Sequence, residues 1–415
     1  ALDGPGRLAE FTSAYHRLID QFSQVTPRLV LVSPIPFETG AQSHAPNLST
    51  HNEVVALYVD AIREIARQRD LRFIDLYLPF VDRSADSPRL TENGIHLNAF
   101  GLERTAAEFG RQLGLTETSS PERRLLDLIA EKNRLWFDSW RPANWSFVYG
   151  DRMTQLFATG TDDQPSLREQ LEKHKPLIAE FDTRIEIVAA GQPDPGPAVA
   201  AIEAAPLNPD LVPTVEEQLA GFSVADGFEI ELFADESMGV VKPTHMAWDE
   251  LGRLYVACSP TYPHTLPGEA PSDYIWVGED RSGDGRIDHS WRLIEGLTMV
   301  QGIVPGDGGL YICDFDRLLH VRDTTGDGTA DDVRVILQGF GIGDTHQLIN
   351  SIAWDQGGRL WFTQGLHAFS RVETPHGISR LHQSGLWRFN PRTLKLDGFF
   401  NGAKAGHNGW GVVFD

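Results

Sequence analysis

Cysteine is scarce in this chain: two in 415 residues, Cys258 and Cys313, with no CxxC and no CxxCH. That excludes a disulfide-stapled scaffold, a zinc knuckle and a covalent haem site within the sequence. Each cysteine ends a similar strand pattern, "RLYVAC" and "GLYIC", which predicts two small buried residues; a disulfide between neighbouring strands is the other reading. No apolar run reaches about 18 residues, so no membrane-spanning helix is expected. The opening "ALDGPGRLAEF" is polar and Gly-rich, unlike a secretory signal peptide. Positive charge is also in short supply. Lys and Arg number 36 against 58 Asp and Glu, a net charge of −22, which argues against nucleic acid or an anionic membrane as partner.

What remains is the composition of a soluble globular protein, 41% apolar and 23% charged, long enough for two to three domains. Residues 1–118 alternate helix and strand. "GRLAEFTSAYHRLIDQFSQ" and "HNEVVALYVDAIREIARQRD" have helical spacing, whereas "PRLVLVSPIP" and "LRFIDLY" are short apolar runs. This texture predicts a flavodoxin-like α/β domain with functional loops at the carboxyl ends of its strands. Residues 119–190 read as a helical connector containing "RPANWSFVYGDR", and 191–213 as a Pro- and Ala-rich linker.

From 214 to 415 short strands and turns take over, and they repeat. "HMAWDELGRLYVAC", "GIVPGDGGLYIC" and "SIAWDQGGRLWFT" are three versions of strand, turn, strand, and "GVVFD" starts a fourth. Repeats of roughly 40–50 residues with four strands each predict about three blades of a β-propeller. The strand pattern is interrupted at residue 415, and the expectation is a fragment truncated at both ends.

"DRSGDGRID" (Asp280, Asp284, Asp288) and "DTTGDGTAD" (Asp323, Asp327, Asp331) occupy the same position in successive blades. Their first six positions imitate a calcium loop, but Trp291 and Arg334 stand where its bidentate glutamate belongs. Gly- and Asp-rich hairpin turns and weak calcium sites are both consistent with the pattern.

Strand alternation places the other loops on the opposite face. Those preceding each innermost strand carry His245, Gln301, the group His346, Gln347 and Asn350, and the group His407, Asn408 and Trp410. Long loops with His264, His367, His376 and His382 join them. So many histidines at one rim predict a site, with a neutral imidazole as base or as metal ligand. HxxxH-type spacing is absent, which favours the base.

Two stretches resemble known families. "LTENGIHLNAFG", residues 90–101, resembles the last block of the SGNH (GDSL-like) hydrolases, where an Asp-x-x-His element activates a serine. That resemblance implies a catalytic His96 oriented by Asn93, which replaces the usual aspartate, with Glu92 as an alternative carboxylate. The Gly-Asp-Ser turn that carries the family's nucleophile is absent from residues 1–415, so this stretch alone is not expected to hydrolyse esters. "THQLINSIAWDQGGRLWFTQG" and "GHNGWGVVFD" resemble the blades of soluble quinoprotein glucose and sorbosone dehydrogenases. By that resemblance His346 is the general base of alcohol oxidation, and His245, Gln301, Gln347, His407 and Asn408 adjoin pyrroloquinoline quinone. His407 stands where such enzymes can carry an arginine, and the nearby cations are Lys242, Arg371, Arg380 and Lys404. The domain order is similar to that of large bacterial membrane-bound-dehydrogenase-like proteins, which implies a periplasmic or secreted setting, a carbohydrate or acyl-ester substrate, and haem only in sequence downstream. A propeller that only binds a glycan or a protein is the alternative.

Overall fold

The computed structural model describes residues 4–40, 44–84, 86–115, 122–160, 165–199, 213–402 and 408–414. Two compact units emerge. The first comprises residues 1–120 with the short segments 373–378 and 389–396; the second is the remainder.

In the first unit, helix α1 (Leu8–Ser23) precedes strand β1 (Val30–Val32), and α2 (Asn52–Gln68) precedes β2 (Arg72–Ile74). The strands pair in parallel, Leu31 opposite Phe73. Helix α2 forms because Val55, Val59, Ile62 and Ala66 recur at three- and four-residue steps on one face. Ile62, Ile65 and Ala66 pack with Ile19 and Leu31, and Val55 and Val59 pack with Tyr77. Truncating a fully buried residue such as Ile65 to alanine would cost about 2–5 kcal/mol. A single-turn helix α3 (Leu78–Val81) and then α4 (Ala99–Leu113) complete the unit.

The second unit begins with helices: α5 (Arg123–Trp140), the short α6 (Trp145–Val148), α7 (Leu156–Thr159) and α8 (Leu167–Glu172), then α9 (His174–Ala189). Leu135 of α5 packs on Leu177 and Ile178 of α9. Residues 200–212 of the expected linker lie outside the described residues, and α10 (Val215–Ala220) follows, started by a Thr214–Glu217 capping box.

Four-stranded antiparallel sheets then succeed one another. The first is β3 (Pro243–Trp248), β4 (Leu254–Cys258), β5 (Asp273–Glu279) and β6 (His289–Leu297). The second is β7 (Gly302–Gly306), β8 (Gly309–Asp314), β9 (Arg317–Arg322) and β10 (Asp332–Gln338). In the third, β11 (Asn350–Trp354) and β12 (Leu360–Gln364) are followed by a separate hairpin, β13 (Phe369–Thr374) with β14 (Gly377–His382). Strands β15 (Gly385–Asn390) and β16 (Lys395–Asn401) then complete the sheet. These sheets have the form of propeller blades, and their first strands lie side by side, β3 against β7 and β7 against β11. The repeated leucines Leu254, Leu310 and Leu360 are buried at equivalent points. Ala257, Ile275 and Val277 of the first sheet share a core with Ile303, Leu310 and Ile312 of the second. The hairpin β13–β14 corrects the expectation of a plain loop there. Its inward residues Ser370, Val372 and Thr374 are small or polar, so the alternation carries little hydrophobic signal.

Both cysteines are free and buried, and burial raises the pKa of each thiol. No described helix is long and apolar enough to cross a membrane.

Candidate functional sites

The sequence around His96 is built to approach the loop that leaves β1. Asn98 caps α4 by accepting the Gly101 N–H at 2.8 Å. A Cβ on Gly101 would lie 1.9 Å from the Leu90 carbonyl oxygen, so only glycine fits there. A Cβ on Gly94, at φ +94°, would lie 2.7 Å from the Glu38 carbonyl oxygen. Glu38 was not singled out from the sequence, yet it ties the two loops together. Its carboxylate accepts the Thr91 N–H at 2.9 Å, the Thr91 hydroxyl at 2.6 Å and the Leu90 N–H. Its own N–H donates to the Gly94 carbonyl. His96 is thereby held at the carboxyl end of the sheet, its side chain about half exposed.

Asn93 is buried, and its Oδ1 accepts the N–H groups of Ile95 at 3.2 Å and His96 at 3.0 Å. Its amide nitrogen faces His96 Nδ1 at 3.0 Å. Nε2 lies 3.2 Å from Glu373, in the segment that clusters with this unit, and the imidazole holds that carboxyl below its ordinary pKa. Glu92 meets His96 through the backbone, N–H to carbonyl. Ser33, at the end of β1, is buried and bonded to the Pro34 carbonyl and the Leu76 N–H.

In the second unit the first strands of the blades surround a funnel of about 620 Å³. Lys242, Thr244, His245, Tyr262, Gln301, Asn350, Ser351 and Trp410 contribute to its wall. Four of the expected rim residues, His245, Gln301, Asn350 and Trp410, therefore meet there. Burial lowers the His245 pKa, and its Nδ1 accepts the Ile303 N–H at 3.4 Å, the outer limit of a hydrogen bond. Gln301 is committed to the fold: its amide donates to the Thr345 carbonyl at 2.6 Å and its Oε1 accepts the Leu348 N–H. Asn350 similarly bridges Leu348 and Thr363, and Asn408 accepts the Leu366 N–H. Lys242 donates to the Pro260 and Tyr262 carbonyls.

His346 stands behind this wall, its ring 5.6 Å from Tyr262 and 5.3 Å from Trp410. Gln347 is buried, and neither atom of its amide has a hydrogen-bond partner. His407 and Lys404 lie outside the described residues.

The loop carrying His346 is secured by residues the sequence reading left unassigned. Asn144, fully buried at φ +62°, accepts both the N–H and the hydroxyl of Thr345 and donates to the Thr265 carbonyl. Ser146 bonds Gly343, and Arg152 pairs with the buried Asp344 at 2.5 Å. Asp344 in turn accepts the His346 N–H. His264 stacks on Phe157 at 4.2 Å, and burial lowers its pKa against the opposing pull of Asp344. The clue was the dense polar and aromatic text of "NWSFVYGDR" amid amphipathic helices.

Both aspartate turns close on themselves. Asp280 accepts the N–H groups of Gly283 at 2.6 Å and Gly285 at 2.8 Å, and Asp323 those of Gly326 and Gly328. These bonds hold both carboxyls below their ordinary pKa. Asp288 and Asp331 receive the N–H groups of Ser282 and Thr324, while Asp284 and Asp327 cap Arg286 and Thr329. Among the described residues no three His, Cys, Asp or Glu side chains converge as a metal site would require.

Residues 2–104 match the GDSL-like Lipase/Acylhydrolase family. Over those residues the chain is similar to that family. Residues 214–415 match a domain of unknown function, DUF7133. None of the curated proteins matches the chain. Solved structures with partial similarity include a Trichoderma reesei carbohydrate-active enzyme of family AA12, in an iodide structure. It is 15% identical, with 41% of each chain covered and a TM-score of 0.30. The calcium structure of a T. reesei AA12 enzyme is 14% identical over 42% of this chain and 40% of its own, with a TM-score of 0.30. A luciferin-regenerating enzyme is 10% identical over 37% and 43%, with a TM-score of 0.26. The chain thus spans about two fifths of the length of these structures. Likenesses of this extent say nothing about ligand or chemistry.

Proposed function

We propose that the chain is part of a carbohydrate-active protein, periplasmic or secreted, that joins a GDSL-type ester hydrolase domain to a sugar-binding propeller. In the first domain His96 occupies the position of the acid–base group, with Asn93 beside its ring. In the propeller the funnel holds the sugar. The observation that carries this reading is the funnel's lining, where the aromatic faces of Tyr262 and Trp410 stand beside the polar groups of Thr244, His245 and Ser351. A pyranose needs both, apolar C–H faces against rings and hydroxyls against donors and acceptors. The volume of about 620 Å³ lies in the range of small-molecule sites.

The quinone implied by the dehydrogenase resemblance would have to lie against the same wall. A tricarboxylate needs several cations. Among the described residues the wall offers Lys242, already bonded to two carbonyls, and His245, which burial holds toward its neutral form. Gln301 and Asn350 spend their amides on the backbone and on Thr363. The described residues of the wall do not fit that cofactor.

Calorimetric titration with mono- and disaccharides, plain and acetylated, tests the reading. Saturable binding is expected, weakened about tenfold by Trp410→Ala through loss of a stacking face. Binding of no saccharide, or binding indifferent to both Trp410→Ala and His245→Ala, would overturn it. For the first domain, hydrolysis of short acyl esters by the whole protein should disappear in His96→Ala.

A further inference from the structure

We infer that Asn93 holds neutral His96 with its proton on Nε2, the opposite of the tautomer a general base requires. Donors and acceptors around the ring decide the tautomer. Asn93 has one acceptor oxygen, and two backbone N–H groups, from Ile95 and His96, already point at it. Turning the amide over would set its NH₂ against both, so the nitrogen must face the ring. That NH₂ is purely a donor, and at 3.0 Å from Nδ1 it requires a bare nitrogen there. The proton therefore resides on Nε2. Glu373 leads independently to the same assignment, since its carboxylate, 3.2 Å from Nε2, can only accept.

The catalytic consequence rests on the reading of His96 as the acid–base group; the tautomer does not. With Nε2 protonated, His96 can donate a hydrogen bond to a serine hydroxyl but cannot take its proton. Asn93 is thus a positioning residue that restrains the base. In a serine protease, exchanging the triad aspartate for asparagine imposes the wrong tautomer and costs about 10⁴ in kcat. Asn93→Asp is the reverse exchange. Its carboxylate keeps one oxygen for the two backbone donors and offers the other to an Nδ1–H.

The test is two-bond ¹H–¹⁵N correlation of the ¹⁵N-histidine-labelled protein near pH 8, with His96→Gln identifying the His96 signals. In the native chain, Nδ1 should resonate as an unprotonated ring nitrogen; in Asn93→Asp it should move to the protonated range. A protonated Nδ1 in the native chain overturns the inference, whether or not the variant folds, as does a bare Nδ1 in a folded Asn93→Asp protein. Ester hydrolysis is read separately. Absence of turnover in both proteins is what the missing Gly-Asp-Ser turn leads us to expect, and it leaves the tautomer standing. A rise toward 10⁴-fold in Asn93→Asp joins the two.

Discussion

Replacing Asn144 by alanine should loosen the His346 loop. Asn144 makes three side-chain hydrogen bonds, at 2.8 and 2.9 Å to Thr345 and 3.1 Å to Thr265. At a net value of about 1 kcal/mol each, their loss removes about 3 kcal/mol. The left-handed backbone at φ +62° adds about 1 kcal/mol, because alanine tolerates it less well than asparagine. Thr345 has no access to water in this position, so its orphaned N–H is not rescued by solvent. The expected total is about 4 kcal/mol, a fall in Tm of roughly 8–16 °C for a unit of this size. Thermal unfolding followed by circular dichroism measures it. Asn144→Gly separates the contributions, since glycine accepts the backbone and still forfeits the bonds; it should recover about 1 kcal/mol. A loss below about 1 kcal/mol in Asn144→Ala would refute the assignment of Asn144 as the clasp.

Arg152→Ala should cost about 3–5 kcal/mol by leaving the Asp344 carboxylate buried and unpaired. Arg152→Met with Asp344→Asn should cost less than that single change; an equal or larger loss would show that the charge pair is not what matters. Burial lowers the His245 pKa below its ordinary 6.5, so between the lowered value and 6.5 unfolding takes up a proton. Its contribution is complete above that value and is lost as pH falls through it; His245→Asn should therefore flatten the dependence of Tm on pH between 7 and 5.5. The buried thiols Cys258 and Cys313 should resist Ellman's reagent in the native protein and both react after unfolding. A native disulfide, or fast labelling, would contradict their placement. Asp323→Ala should lower the melting temperature equally with and without a chelator, since backbone N–H groups already occupy its carboxylate. A shift on adding millimolar calcium would restore the metal reading.

Local signals survived the passage from sequence to structure. Asn98, Gly101 and the apolar steps of α2 act over a few residues, and the repeated leucines Leu254, Leu310 and Leu360 report burial that each blade repeats. The antiparallel blades and the parallel pair were legible in this way. Glu38, Asn144 and Arg152 were not. Each works by bonding groups between 52 and 201 residues away. A polar residue in a loop looks the same from the sequence whether it is solvated or clasping a distant carbonyl. The strand β13 was missed because its buried positions are Ser370, Val372 and Thr374. The funnel itself showed that Gln301 and Asn350 serve the backbone, whereas rim position alone had suggested ligand contacts.

The clasp at Asn144 also sets an order of events during synthesis. Its partner Thr345 follows it by 201 residues. At about 5–20 residues per second, the ribosome delivers Thr345 roughly 10–40 s after Asn144. Until then the Ser146 N–H and the Arg152 side chain lack their partners Gly343 and Asp344, although Phe147 can already lie against His264. Contacts so far apart in sequence form late, because closing a long loop must precede any gain from it. Nascent chains arrested before residue 340 should therefore be cut readily by trypsin at Arg152, and chains extended past the third blade should be protected there.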